Sequence, residues 1–242
     1  MYACEEILTC AIVLWKITPI FAEFISSPSN LFFTSGVLSL SSTVLELGCG
    51  ISPLTGLALG PHVAHYLLTD QSYVQRLVNQ NIDENTQPST SVRKGGDSHK
   101  GKSKTKPKGK ASTNTTRTAG AVKFETLDWE TDSVAAGLSP TGDFDMVVAC
   151  DCVYNEALVR PLVSTCVDAC RLRDADEKVE GDEGMPTICV VAQQLRSDEV
   201  FEAWLVEFHR HFHAWRIPDE ILPRPLRSDV GFVIHAGILR KS

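Results

Sequence analysis

Residues 43–53 read Thr43-Val-Leu-Glu-Leu-Gly-Cys-Gly-Ile-Ser-Pro53: five residues of strand character, a glycine turn and the start of a helix. Gly48 and Gly50 let the backbone turn sharply and approach a ligand with no side chain in the way. Ser52 is expected as N-cap and Pro53 as the first residue of a short helix to Leu59, closed by Gly60-Pro61. The next apolar run, Ala64 to Thr69, completes a βαβ unit. Asp70 ends it, twenty residues beyond Gly50. At the lip of a parallel sheet its carboxylate is placed to accept hydrogen bonds from both hydroxyls of a ribose.

Outward from this unit, the spacing predicts a helix over Ser72–Glu84 with Tyr73, Leu77, Val78 and Ile82 on one face. Strand candidates follow at Val122–Leu127, Phe144–Cys150, Thr187–Gln193 and Phe232–Leu239. Helix candidates alternate with them at Asn155–Arg171, interrupted by Pro161, and Asp198–Phe212, striped by Val200, Phe201, Trp204, Leu205 and Phe208; Gln193 to Asp198 reads as the connecting loop. Strands alternating with helices predict an α/β fold with a mostly parallel, doubly wound sheet.

The 242 residues are 43% hydrophobic and 22% charged, which excludes wholesale disorder and fibrous structure. The net charge of −7 is unevenly spread. Residues 86–120 carry nine Lys or Arg against Asp97, a net of +8, leaving 14 basic and 29 acidic side chains elsewhere. That stretch lacks hydrophobic periodicity and is expected to be a disordered basic insertion. It is read either as an arm making weak contact with RNA or as a solvated insertion with no contact role. The acidic remainder is a poor general nucleic-acid binder.

Eight cysteines contain no CxxC, and most lie in apolar runs, which indicates reduced, buried thiols and a cytoplasmic or nuclear location. Lys16, Pro19 and Glu23 interrupt the apolar N-terminal run, and Glu5 and Glu6 stand where a secretory signal needs positive charge, so neither a membrane span nor a leader is expected. His209, His211 and His213 bridge a helix end and a probable strand without a suitably spaced carboxylate or cysteine. Cys150 and Cys152 are read as pointing opposite ways. No metal is expected.

Two cofactor classes share a strand-Gly-x-Gly-helix. A dinucleotide fingerprint needs a third glycine at 53, where this chain has proline. Glu46, two residues before Gly48, instead matches the acidic-x-Gly-x-Gly pattern of S-adenosylmethionine enzymes, whose cofactor is cationic and carries no phosphate. Three further segments strengthen that signal: Thr126-Leu-Asp-Trp-Glu-Thr-Asp132 after the third strand, Phe144-Asp-Met-Val-Val-Ala-Cys-Asp-Cys-Val-Tyr-Asn155 as a buried strand with Asp151 at its carboxyl end and Tyr154 three residues on, and Val13-Leu-Trp15 ahead of a helix starting near Pro19. Trp129 offers an apolar face for adenine, or is an ordinary core tryptophan. Asp128 is read as structural. Asp151 is either functional or the cap of the following helix.

With the stretches LWKITPIFAEFISS, STVLELGCGISPLTGLALGP, LLTDQSYVQRLVNQNI, LDWETD and ACDCVYNEALVRPLV, the chain resembles the family-16 S-adenosylmethionine methyltransferases, and within them the fungal ribosomal lysine N-methyltransferase 5 branch. The resemblance implies a seven-stranded class I fold in a single domain over 1–242, with residues 1–42 covering substrate and cofactor. It implies that Trp15, Gly48, Cys49, Gly50, Asp70, Trp129 and Cys150 line the S-adenosylmethionine pocket, and that Asp151 and Tyr154 form the family's catalytic D-x-x-Y motif. The implied activity is lysine N-methylation of a large-subunit ribosomal protein by a monomer. The alternatives are methylation of RNA or a small amine, and a non-catalytic ribosome- or RNA-binding relic of the fold. Cys10 stands where relatives have glycine, Ser52 replaces the third glycine of the wider class, and relatives carry a longer segment ahead of the tryptophan motif.

Overall fold

Seven segments, the central ones strongly apolar, assemble into one sheet: β1 (Thr43–Leu47), β2 (His65–Asp70), β3 (Ala121–Thr126), β4 (Met146–Cys150), β5 (Ile188–Gln194), β6 (Phe212–Arg216) and β7 (Phe232–Leu239), in the order β3-β2-β1-β4-β5-β7-β6. The structure is a computed structural model and describes residues 14–86, 121–175 and 185–241. The expected basic insertion at 86–120 lies outside the described residues except for Thr86, which ends a helix rather than opening a loop: its hydroxyl donates to Ile82 O at 2.8 Å.

β3, β2, β1, β4 and β5 run parallel, while β7 is antiparallel to both β5 and β6. All five residues of β1 are buried because helices cover both faces. On one face α1 (Ile17–Ser26), α2 (Leu31–Thr34), α3 (Leu54–Leu59) and α4 (Gln75–Thr86) pack over a cluster that includes Phe21, Phe32, Val44 and Tyr66. On the other, α5 (Val159–Ala175) and α6 (Asp198–His211) pack over Leu45, Leu47, Val147, Trp204 and Phe208. No helix among the described residues is long and apolar enough to cross a membrane.

Several local expectations change. α3 starts at Leu54 with Pro53 in the capping position, and no side chain caps it, so Ser52 does not act as the N-cap. On α4 the buried stripe is Val78 and Ile82, continued by Val74 one turn earlier, while Tyr73 and Leu77 are exposed. A stripe spaced by four follows the helix more closely than the neighbouring pair 77–78. Pro161 does not interrupt α5: it sits in the first turn, where its missing N–H has no intrahelical acceptor to lose. The sheet's seventh strand, β6, begins immediately after α6. Its half-exposed pattern and the exposed Trp215 are those of a sheet edge.

The order reverses between β1 and β4. The chain leaves β1 toward β2 and β3 on one side and returns with β4 on the other, so the loops after β1 and β4 diverge and open a crevice at the carboxyl ends of the strands.

Candidate active site

All ten residues singled out from the sequence line that crevice: Trp15, Glu46, Gly48, Cys49, Gly50, Asp70, Trp129, Cys150, Asp151 and Tyr154. Thr18 and Gln71 also line it and carried no sequence signal of their own, and so does Tyr73, which the periodicity assigns to a helix face.

The floor is the turn after β1. Gly48 and Gly50 have φ of +70° and +58°, left-handed values that glycine adopts without penalty. At Gly48 a β-carbon would stand 2.7 Å from Cys152 Sγ and 2.8 Å from the Trp129 ring, so the turn can close against these side chains only without one. Asp70 fixes the turn from the neighbouring strand. Its Oδ2 accepts from Gly50 N at 2.8 Å and its Oδ1 from Gln71 N at 2.7 Å. Each oxygen keeps a further acceptor direction for a ligand hydroxyl. Burial raises the Asp70 pKa and the two amides hold it back.

Glu46 is buried beneath the turn, where Tyr66 Oη donates to its Oε2 at 2.7 Å. Burial pushes its pKa up to about 7 against the pull of the Tyr66 hydrogen bond. A second carboxylate, Asp70, pushes in the same direction. A cationic group entering the cleft would therefore meet a carboxyl ready to ionise in its favour.

Trp129 forms one wall, its Nε1 buried without a hydrogen-bond partner. What the cleft receives from Trp129 is therefore its ring rather than its N–H. Asp128 orders the loop beneath it, accepting from Glu130 N at 3.0 Å and Gln71 Nε2 at 3.2 Å. Burial pushes the Cys49, Cys150 and Cys152 thiols well above their ordinary range, so at neutral pH they are protonated wall groups rather than nucleophiles.

β4 stops at Cys150, and Asp151 takes φ +60°, while its N–H donates to Ala192 O at 2.7 Å. Cys150 and Cys152 consequently join clusters on different faces of the sheet. Strand alternation alone would put residues two apart on the same face, so the left-handed turn separates them. The Asp151 carboxylate does not cap the next helical segment; Asn155 does, accepting from Ala157 N at 3.0 Å. Asp151 instead receives Arg196 Nη1 on Oδ1 at 2.9 Å, Arg196 Nη2 on Oδ2 at 2.5 Å and Gln194 N on Oδ1 at 3.1 Å. Its side chain is 1% exposed and that of Arg196 32%. Arg196, which sequence reading passed over, lies with its guanidinium carbon 4.5 Å from the Trp15 ring centroid. Its one sequence cue was a lone basic residue in the loop beyond a strand's carboxyl end.

The histidines stay at the far edge. His211 Nε2 is 3.6 Å from Glu207 Oε1, and His213 Nδ1 is 3.3 Å from Arg240 Nη1.

An open sheet of this order, with one antiparallel strand inserted next to the edge and a cleft at the reversal point, is the class I S-adenosylmethionine-dependent methyltransferase fold. The methyltransferase domain of bacterial CtHen1 shares it, with a TM-score of 0.52 at 10% identity over 93% of this chain and 100% of that one. The chain belongs to the lysine methyltransferase family, whose model matches residues 4–95 and 108–177. Two similar curated proteins are named ribosomal lysine N-methyltransferase 5: one from Zygosaccharomyces rouxii, 28% identical over 81% of this chain and 63% of that protein, and one from Candida glabrata, 25% identical over 84% and 65%. A third, from Schizosaccharomyces pombe, is named diaminohydroxyphosphoribosylamino-pyrimidine deaminase and is 27% identical over 83% of this chain and 38% of its own length. The chain thus spans less than two thirds of each of these relatives.

Proposed function

We propose that this chain is an S-adenosyl-L-methionine-dependent protein-lysine N-methyltransferase acting on a ribosomal protein of the large subunit. The observation that carries the reading is the convergence, in a lysine methyltransferase family member, of Glu46, Asp70, Trp129, Asp151 and Tyr154 on one cleft at the sheet's reversal point. When bound, the cofactor supplies a methyl group on a positively charged sulfur.

The protein's own groups fit that ligand. Asp70 offers acceptors to the ribose hydroxyls, Trp129 a flat apolar face to the adenine, and Glu46 a negative charge to the cationic end. Gly48, Cys49 and Gly50 bring bare backbone against it, and Cys150 and Trp15 close the sides. Transfer requires a neutral lysine amine in line with the methyl group, and most of the acceleration comes from holding the two close and collinear. A free lysine is mostly protonated at pH 7, so its channel must favour proton loss. Tyr154 walls that channel and meets the developing positive charge with its ring or oxygen. Asp151, occupied by Arg196, shapes the channel rather than acting as a base. A monomer working in the cytoplasm is part of the same proposal.

The test is transfer of labelled methyl from S-adenosylmethionine to unmodified ribosomes. Label removed by protease and resistant to ribonuclease supports the reading. Label that survives protease and is lost to ribonuclease overturns it in favour of an RNA methyltransferase. Calorimetry showing no cofactor binding overturns both.

A further inference from the structure

Arg196 lies outside every motif used above, in the loop between β5 and α6, yet it grips two residues of the cleft. Its fork closes on both Asp151 oxygens, its guanidinium carbon lies over the Trp15 ring, and Nη2 also reaches Gln194 Oε1 at 2.9 Å. Asp151 is the one non-glycine residue with positive φ among those described. A side chain holds that conformation only where its surroundings over-determine it. The turn so fixed is the point where the chain leaves β4 and heads for Tyr154. Trp15, at the other end of the guanidinium, leads into α1 through Thr18 N, which donates to Trp15 O at 3.1 Å. One side chain therefore joins the segment before α1 to the ends of β4 and β5.

We infer that Arg196 is a positioning residue for methyl transfer: through Asp151 it sets the turn that presents Tyr154, and through its stack it holds Trp15 at the cleft wall. The inference rests on the methyltransferase reading above. Arginine suits both tasks because a planar fork binds a carboxylate with two parallel bonds and stacks on a ring. A lysine ammonium in its place would still neutralise Asp151, but as a point charge it cannot bind both carboxylate oxygens through a planar fork while keeping the Trp15 contact. Arg196→Lys thus separates charge compensation from positioning.

The experiment compares full-length wild type, Arg196→Lys and Arg196→Met in thermal melting, in calorimetric titration with S-adenosylmethionine, and in labelled methyl transfer to unmodified ribosomes. Arg196→Lys is expected to melt close to wild type, to bind cofactor several-fold more weakly, and to lose about 100-fold in kcat, the cost of a misplaced reacting group. A purely structural role predicts instead that activity follows the folded fraction, so a folded Arg196→Lys with wild-type kcat and affinity overturns the inference alone. Arg196→Met retaining wild-type kcat does the same. A wild type that neither binds the cofactor nor transfers methyl overturns the methyltransferase reading and takes this inference with it.

Discussion

The amide of Gly50 donates to Asp70 Oδ2 at 2.8 Å, so the turn after β1 is pinned to the end of β2 by a carboxylate twenty residues away. Asp70 anchors the loop and, in the proposed function, also offers acceptors to the cofactor. Asp70→Ala leaves the Gly50 and Gln71 amides without their acceptor, each at a cost of about 1–3 kcal/mol. Calorimetry should show cofactor affinity reduced by about two orders of magnitude. Affinity within a few-fold of wild type would contradict the assignment.

Gly48 is barred from any side chain on two counts, its φ of +70° and the Cys152 and Trp129 atoms within 3 Å of a β-carbon. Gly48→Ala is expected to lose at least about 2 kcal/mol, the left-handed penalty plus the forced shift of an aromatic ring. Gly137, with nothing within 4 Å of a β-carbon, is the control, and Gly137→Ala should leave urea denaturation unchanged.

At Asp151 the backbone and the ion pair pull apart under substitution. Asp151→Ala leaves the Arg196 charge without its partner and keeps the left-handed strain. Asp151→Gly loses the same partner while relieving the strain, so it should be the more stable of the two by about 1 kcal/mol. Both should fall below wild type by about 1–2 kcal/mol, since the Arg196 left behind is a third exposed and partly solvated. Equal midpoints for Ala and Gly would mean that the turn stores no strain.

Two buried groups give opposing pH dependences. Glu46, raised from 4.5 to about 7, is protonated in the fold while ionised in the unfolded chain between those values, so its contribution favours the fold at low pH and is lost as pH rises through about 7. His235, packed against Phe201 and Trp204 with Nδ1 unpartnered, is lowered from 6.5 to about 4 by burial first and then by Arg216 and His209. Its contribution is present above 6.5 and lost as pH falls toward 4. Each amounts to about 3 kcal/mol and they nearly cancel between pH 4.5 and 6.5. Glu46→Gln should therefore make stability rise with pH across that window, and His235→Phe should make it fall. Denaturant midpoints at pH 4.5, 5.5 and 6.5 decide it; parallel profiles for the two variants would refute the assignment.

The site was largely legible because its residues sit where local patterns end: a strand that stops at Gly48, another that stops at Asp70, a third that stops at Cys150. Such endings need only short-range chemistry to be seen. Arg196 was not legible, since a lone arginine in a loop looks like any solvated charge until Asp151 and Trp15, 45 and 181 positions away, are brought to it. The role of Ser52 was misread for a related reason: serine before proline looks like a cap, but the helix begins one residue later, with Pro53 in the capping position and no side chain bonded there.

Periodicity and turn chemistry, which depend on neighbours a few residues apart, determined the alternation of strands and helices, the glycine turn and the acidic residues bordering it. Folding alone decided that β7 runs against β5, that Asp151 adopts the left-handed conformation and that its charge is answered by Arg196. These rest on contacts between segments far apart in the chain, and the free energy of a buried charge depends on which distant group arrives to meet it.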